Sequence, residues 1–218
     1  MSATKRTFVI SDADMIQGAR VKREMFLSDK SDFINFDASF ADPFANNFKN
    51  AIDDAEATDD NKTLVARQTG LTKNVLVEMN ACRKKFQESK VFISKAFPDG
   101  YAMQVAFGFD TYKKAQKKQL TFTKFMLLFY EMASKHNAKL IAANYSQTQI
   151  DEILTLHNAL DNAIIARDLF IKNRPVQSSS RIESLNNAWR FNTTICGAAR
   201  SIYKDNYTKL KQYEISGR

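Results

Sequence analysis

Residues 180–213 have the sequence SRIESLNNAWRFNTTICGAARSIYKDNYTKLKQY. A step of three or four residues joins a mostly apolar set along this stretch, namely Ile182, Leu185, Trp189, Asn192, Cys196, Ala199, Tyr203, Asn206, Leu210 and Tyr213. A helix with one buried face has this period. Ser180 and Glu183 form a capping box at its start, and Pro175 precedes it. We therefore predict a long helix over 180–213, with Trp189, Cys196 and Tyr203 as core anchors.

The same period predicts three further long helices, over 62–97, 111–138 and 147–173, which would cover the buried face of the first. The 218 residues include only 6 Gly and 3 Pro, which favours long helices with few connections. We predict an all-α fold, an antiparallel up-and-down bundle of these four helices preceded by two or three shorter ones. A single domain is expected over 11–215, after a flexible N-terminal arm over 1–10.

A row of phenylalanines marks the segment before the long helices. Phe33, Phe36, Phe40, Phe44 and Phe48 follow one another at steps of three or four residues, and Pro43 is expected to begin a helix that ends near residue 58. Aromatic side chains at this spacing belong to a hydrophobic core far more often than to a binding stripe. The predicted core anchors outside 180–213 are therefore Phe44, Phe48, Phe86, Phe122 and Phe129.

Charge is distributed unevenly along the chain. The net charge is +8, yet residues 1–61 contain 7 Lys and Arg against 12 Asp and Glu. The basic candidates for a binding surface are Lys113, Lys114, Lys117, Lys118 and Lys124 on one predicted helix, and Arg83, Lys84 and Lys85 on another. The acidic candidates are Asp53, Asp54, Glu56, Asp59 and Asp60. Two interpretations stay open: the acidic segment folds back onto the basic part of the same molecule, or it meets the basic part of another.

Catalytic and metal-binding motifs are missing from the sequence. Neither His136 nor His157 has a glutamate three residues before it, so the Glu-x-x-His pattern of di-iron bundles is absent. Cys82 and Cys196 fall on apolar helix faces, where a thiol packs and does not react. No glycine-rich phosphate loop and no nucleophile elbow occurs. We expect no enzymatic activity, no metal, no cofactor and no disulfide bond.

The pattern as a whole predicts a non-enzymatic protein that acts through protein–protein association, as a self-assembling unit or a scaffold. The partner that we expect is a second copy, because the charges are uneven and Asn192 and Asn206 interrupt the apolar face of the last helix. One alternative is a nucleic-acid-associated protein that uses the lysine-rich helix faces. Another is a bundle that holds a small apolar ligand between its aromatic-rich helices.

Location is predicted from two features of the apolar content. The N-terminal residues include no apolar run of signal-peptide length, and the longest strongly apolar run, 125–130, is too short to cross a bilayer. We therefore expect no membrane span and a cytoplasmic protein.

Overall fold

The structure is a computed structural model that describes residues 4–214. Helices take up 81% of the described residues and no strand occurs among them, which confirms the all-α prediction. The α-helices are α1 (Asp12–Ser28), α2 (Lys30–Phe36), α3 (Phe44–Glu56), α4 (Asn61–Ala96), α5 (Tyr101–Ala106), α6 (Tyr112–Ala115), α7 (Gln119–Lys135), α8 (Asn137–Ala142), α9 (Gln147–Ile202) and α10 (Tyr207–Gln212). A short 3-10 turn, Ala38–Phe40, lies between α2 and α3.

The chain forms two compact units. The first unit consists of the residues up to Leu64 and those from Arg174 onward, and the second is Val65–Asn173. Helices α4 and α9 contribute residues to both units. The single domain expected over 11–215 stays a prediction. It implies that the two units unfold together. Residues 1–3 of the predicted arm and residue 215 lie outside the described residues.

The first unit has its own hydrophobic core. Ser11 caps α1 by accepting a hydrogen bond from the backbone N–H of Asp14 at 3.1 Å. The core contains the α1 residues Met15, Ala19 and Phe26, the aromatic residues Phe33, Phe40 and Phe48, and the α9 residues Leu185, Ala188, Ile195 and Ala199. The predicted anchors Cys196 and Tyr203 are buried, whereas Phe44 and Trp189 are partly buried. Phe36 breaks the predicted row, since its side chain is exposed.

A polar cluster attaches the C-terminal segment to the first unit. Asp29 accepts hydrogen bonds from Lys209 Nζ at 2.7 Å and from the Tyr213 hydroxyl at 2.9 Å. The Tyr203 hydroxyl donates to Asp32 at 2.9 Å, and the rings of Tyr203 and Tyr213 stack at 5.7 Å. We call Asp29, Asp32, Tyr203, Lys209 and Tyr213 the polar clasp. It ties the residues that follow α9 to the turn between α1 and α2.

The second unit packs around α4 and α7. Asp60 caps α4 by accepting a hydrogen bond from the backbone N–H of Thr63 at 2.7 Å. Downstream of that cap, Phe86 is fully buried, stacks on Tyr112 at 4.4 Å and meets the edges of Phe125 and Phe129, each at 5.0 Å. The predicted anchors Phe86, Phe122 and Phe129 therefore all lie in this core.

Several predicted helix boundaries are wrong. The helices expected over 147–173 and 180–213 are one helix as far as Ile202, because α9 runs through Pro175. Tertiary packing explains this, since α9 buries Phe170 before the proline and Leu185 after it, and such packing overrides local propensity. Asn206 is not in a buried face but is the exposed cap of α10, accepting from the N–H of Lys209.

The helix expected over 111–138 is divided into α6, α7 and α8. Lys118 has an extended backbone, with φ −126° and ψ 126°, which separates α6 from α7. At the other end, His136 has φ −111° and ψ 22° between α7 and α8. At both interruptions the chain changes direction, and aromatic residues of neighbouring segments become buried. Helical periodicity in the sequence does not predict such changes of direction.

Candidate functional site

The strongest candidate for a functional surface lies in the second unit, around the corner between α6 and α7. Its five lysines, Lys113, Lys114, Lys117, Lys118 and Lys124, are all exposed. No acidic residue occurs in the sequence between Asp110 and Glu131. Within residues 4–214 none of these five lysines forms an ion pair. The structure thus places one predicted group of basic residues together, with its positive charge unbalanced locally.

Packing of the aromatic core fixes the direction of these lysines. The short helix α6 buries Tyr112 and Ala115, so Lys113 and Lys114 lie on its outer side. The following turn is held by Arg83, whose guanidinium donates to the carbonyl of Gln116 at 3.0 Å. In α7 the buried residues are Phe122, Thr123, Phe125, Met126, Phe129 and Ala133. Lys124 therefore lies on the opposite side of α7, which is exposed to solvent.

Two leucines share this exposed side of α7. Leu120 is 72% exposed and Leu128 is 51% exposed, one turn before and one turn after Lys124. Exposed apolar area rimmed by polar side chains marks a contact surface, and Leu120 and Leu128 supply such area on both sides of Lys124. We call the five lysines with Leu120 and Leu128 the lysine–leucine face. The lysines of this face were predicted from the sequence and the leucines were not, although the four-residue spacing 120, 124, 128 places both leucines on the side of Lys124.

The second predicted basic group lies only partly at the surface. Lys85 is only 5% exposed, and its ammonium forms an ion pair with Glu152. Arg83 donates to the side chain of Asn80 at 2.7 Å as well as to Gln116, and its Nε is buried with no hydrogen-bond partner. Of the three predicted residues only Lys84 is exposed, and it pairs weakly with Glu88 at 3.8 Å. The prediction that Lys85 is at the surface is wrong, because the buried side of α4 includes Lys85 and Ser89 as well as the apolar row that contains Phe86.

A buried hydrogen-bond network surrounds Lys85. The hydroxyls of Ser89 and Tyr145 are 2.6 Å apart, and the ammonium of Lys85 lies 5.4 Å from the Tyr145 ring. Burial raises the pKa of the Tyr145 hydroxyl above its usual value. Serine, tyrosine and lysine can form a proton-transfer chain, but Ser89 and Tyr145 are at most 1% exposed. No substrate can reach them in this conformation, and the network holds α4 to the start of α9.

The acidic candidates lie in the first unit and are partly neutralised there. All five are exposed. Asp53 pairs with Lys49 at 2.5 Å and Glu56 pairs with Arg20. Hydrogen bonds from the backbone and side chain of Thr63 hold the pKa of Asp60 below its usual value. This leaves Asp54, Asp59 and Asp60 without an ion pair among the described residues.

The two units differ in how they balance charge. The first unit has 16 Lys and Arg against 15 Asp and Glu in its sequence, and the second has 16 against 9. The acidic N-terminal segment is neutralised within its own unit by basic residues from the C-terminal part, through pairs such as Arg181 with Asp12 at 2.6 Å and Lys209 with Asp29 at 2.7 Å. Unbalanced positive charge is therefore a property of the second unit, which carries the lysine–leucine face.

Neither cysteine is a candidate nucleophile. Cys82 and Cys196 are both buried free thiols, and they lie in different units. Burial, together with the charge of Glu78, raises the pKa of Cys82 from 9.0 to about 12. Burial also raises the pKa of Cys196, against the opposing effect of Lys22 and Arg200.

We expect both thiols to resist modification in the folded protein. At pH 8 a thiol with a pKa near 12 has about a thousandfold less thiolate than one with a pKa of 9.0, and burial restricts access further. Labelling by a disulfide reagent should thus be slow without denaturant and rapid in 6 M guanidinium. Fast labelling of either cysteine in the native protein would contradict this and restore a catalytic hypothesis.

Other classes of site find no support in the described part of the chain. Among residues 4–214 no group of three or more His, Cys, Asp or Glu side chains is arranged to hold a metal ion. Over the same residues no helix is both long and apolar enough to cross a membrane.

No family model, curated protein or solved structure matches this chain.

Proposed function

We propose that the protein is a non-enzymatic association module, and that the lysine–leucine face binds an acidic protein surface. The observation that carries the proposal is five unpaired lysines beside two exposed leucines on one side of a helical corner. Lysines supply charge complementarity, and the leucines supply apolar area that becomes buried on contact. As expected from the sequence, we propose that the helices pack as an antiparallel bundle, and that this surface is the one presented by the second unit.

The partner that we propose is a second copy of the chain. Asp54, Asp59 and Asp60 of the first unit are exposed and unpaired among the described residues, so another molecule could offer them to the lysine–leucine face. Contact between unlike patches is heterologous and extends from copy to copy. Such a contact fits the self-assembly expected from the sequence.

We expect reversal of four lysines to weaken this association by a measurable factor. The variant Lys113→Glu, Lys114→Glu, Lys117→Glu and Lys118→Glu replaces attraction by repulsion at each position. At about 0.5 kcal/mol for each exposed charge pair, the loss is roughly 2 kcal/mol, or about thirtyfold in affinity. Sedimentation velocity over a concentration series in 50 mM salt measures it.

The matched control reverses four other exposed lysines of the second unit, Lys73, Lys95, Lys135 and Lys172. Both variants have the same net charge, so only the position of the lysines differs. In the wild type and the control, the contact made by the lysine–leucine face should form in 50 mM salt and be lost toward 1 M, where the Debye length is about 3 Å, so that only association independent of charge is left there. A wild type that is monomeric in 50 mM salt would refute the proposed self-association.

Nucleic acid is the second candidate ligand for the same face. The favouring observation is the run of residues between Asp110 and Glu131, with five exposed lysines and no carboxylate to repel phosphate. Binding of a mixed-sequence duplex would fall linearly with the logarithm of the salt concentration, with a slope set by the number of phosphates neutralised. A mobility-shift assay with the two reversal variants distinguishes this candidate from self-association.

A further inference from the structure

Residues 4–10 lie along the C-terminal part of α9 in the first unit. They contain no helix, and we call them the N-terminal arm. The sequence predicted a flexible arm over 1–10, yet Phe8 is only 6% exposed and its ring centroid is 5.4 Å from that of Trp189. The guanidinium carbon of Arg6 lies over the Phe8 ring, 4.1 Å from its centroid. One aromatic side chain thus anchors the arm.

The backbone of the arm is recognised by a single side chain of α9. Asn186 donates from Nδ2 to the carbonyl of Lys5 at 2.8 Å, and its Oδ1 accepts from the backbone N–H of Thr7 at 3.0 Å. Oδ1 also accepts from the Thr7 hydroxyl at 2.9 Å. A primary amide that satisfies both a main-chain donor and a main-chain acceptor recognises an extended peptide with little regard to its sequence.

Adjacent residues of α9 complete a groove. Glu183, one turn before Asn186, accepts from the Thr4 hydroxyl at 3.0 Å. An open cavity of about 550 Å³ continues beside Thr7, with Trp189, Arg190 and Thr193 in its lining. These residues recur at helical spacing on one side of α9, so the groove follows the direction of the arm.

We propose that this side of α9, residues 183–193, is a peptide-binding groove for a non-helical segment, and that it takes the N-terminal arm of a second copy in exchange for its own. The contacts from the arm to α9 are made by Thr4, Lys5, Thr7 and Phe8, and an identical arm from another molecule makes the same contacts. Exchange of identical segments therefore needs no new interface. This proposal rests on self-association but places it on a surface separate from the lysine–leucine face.

The test uses a variant that lacks residues 1–10 and a synthetic peptide of residues 4–10. Trp189 is the only tryptophan in the chain and contacts Phe8, so its fluorescence reports occupation of the groove. We expect a saturable change on addition of the peptide. A peptide with Phe8→Ala should bind at least tenfold more weakly, because the aromatic anchor is lost.

Two substitutions in the truncated variant separate groove binding from adsorption. Asn186→Ala removes both main-chain hydrogen bonds and should weaken peptide binding about tenfold or more. Asn162→Ala is the matched control, since Asn162 is an exposed asparagine of α9 in the second unit, outside residues 183–193, and peptide binding should be unchanged. Equal effects of both substitutions, or the absence of saturable binding to a folded truncated variant, would overturn the groove.

If the truncated variant does not fold, full-length protein with Phe8→Ala replaces it, because its arm is weakened and its groove is intact. Exchange between copies is then measured by sedimentation of the wild type in 1 M salt, which screens the lysine–leucine face but not hydrogen bonds and ring contacts. We expect a dimer that is lost in the Phe8→Ala protein. A wild type that stays monomeric in 1 M salt at millimolar concentration overturns arm exchange, whatever the result for the lysine–leucine face.

Discussion

Replacing Phe86 with alanine is expected to lower the free energy of unfolding by about 3–5 kcal/mol. Phe86 is fully buried and its ring contacts those of Phe109, Tyr112, Phe125 and Phe129. Its removal leaves a cavity that four surrounding rings cannot fill without moving. Urea denaturation followed by circular dichroism measures the loss, and Leu128→Ala at a half-exposed position is the control, with a change below about 1 kcal/mol.

The same experiment tests the prediction of a single domain. Phe86 belongs to the second unit and Trp189 to the first, so tryptophan fluorescence follows the first unit alone. If the two units unfold together, the fluorescence and dichroism midpoints of Phe86→Ala fall by the same amount. If the fluorescence midpoint stays at its wild-type value while helicity is lost earlier, the prediction of one domain over 11–215 is wrong.

Replacing Asp29 with alanine is the second large change, with an expected loss of about 3 kcal/mol. Asp29 accepts from the Lys209 ammonium and from the hydroxyl of Tyr213, a residue only 1% exposed. Hydrogen bonds to a charged group contribute about 1.5–3 kcal/mol each, and removal of the acceptor leaves the Tyr213 hydroxyl buried and unsatisfied. Asp205→Ala, which removes an exposed carboxylate 4.0 Å from Lys204, should have almost no effect.

The clasp also predicts how stability changes with acid. Burial opposes ionisation of Asp29, but the hydrogen bonds from Lys209 and Tyr213 outweigh it and hold its pKa below the usual 3.8. Because the folded state lowers this pKa, the contribution of Asp29 is complete above the unfolded pKa and is lost as the pH falls through the folded one. Below pH 4 the stability of Asp29→Asn should therefore converge with that of the wild type. A constant difference from pH 7 to pH 2 would contradict the role of the charge.

The sequence predicted those parts of the fold that depend on periodicity alone. Helix α4 was expected over 62–97 and is Asn61–Ala96, because apolar residues mark its buried side along most of its length. The break predicted at Pro175 was wrong, because a local signal competes there with burial of Phe170 and Leu185, and Leu185 packs in a core with residues of α1 and α3 that are distant in sequence. The prediction for Lys85 failed for a related reason, since its partner Glu152 is 67 residues away.

Of the two candidate sites, the sequence revealed one in part. The lysines between Asp110 and Glu131 could be recognised because they are close in the chain. The groove on α9 could not, since it joins Thr7 to Asn186, which are 179 residues apart. A single asparagine in a sequence does not indicate a binding site, because the backbone that it binds is known only from the structure.

The composition of the lysine–leucine face has a consequence for the kinetics of binding. Exposed charges act at a distance and raise the rate of encounter with an oppositely charged partner, whereas groups buried in the contact determine how long the complex lasts. Lys113 and Lys117 should accordingly govern the association rate constant and its dependence on salt. Leu120, 72% exposed in the free protein, should govern the dissociation rate constant. In the lysine–leucine face, different residues should therefore determine how fast a complex forms and how long it lasts.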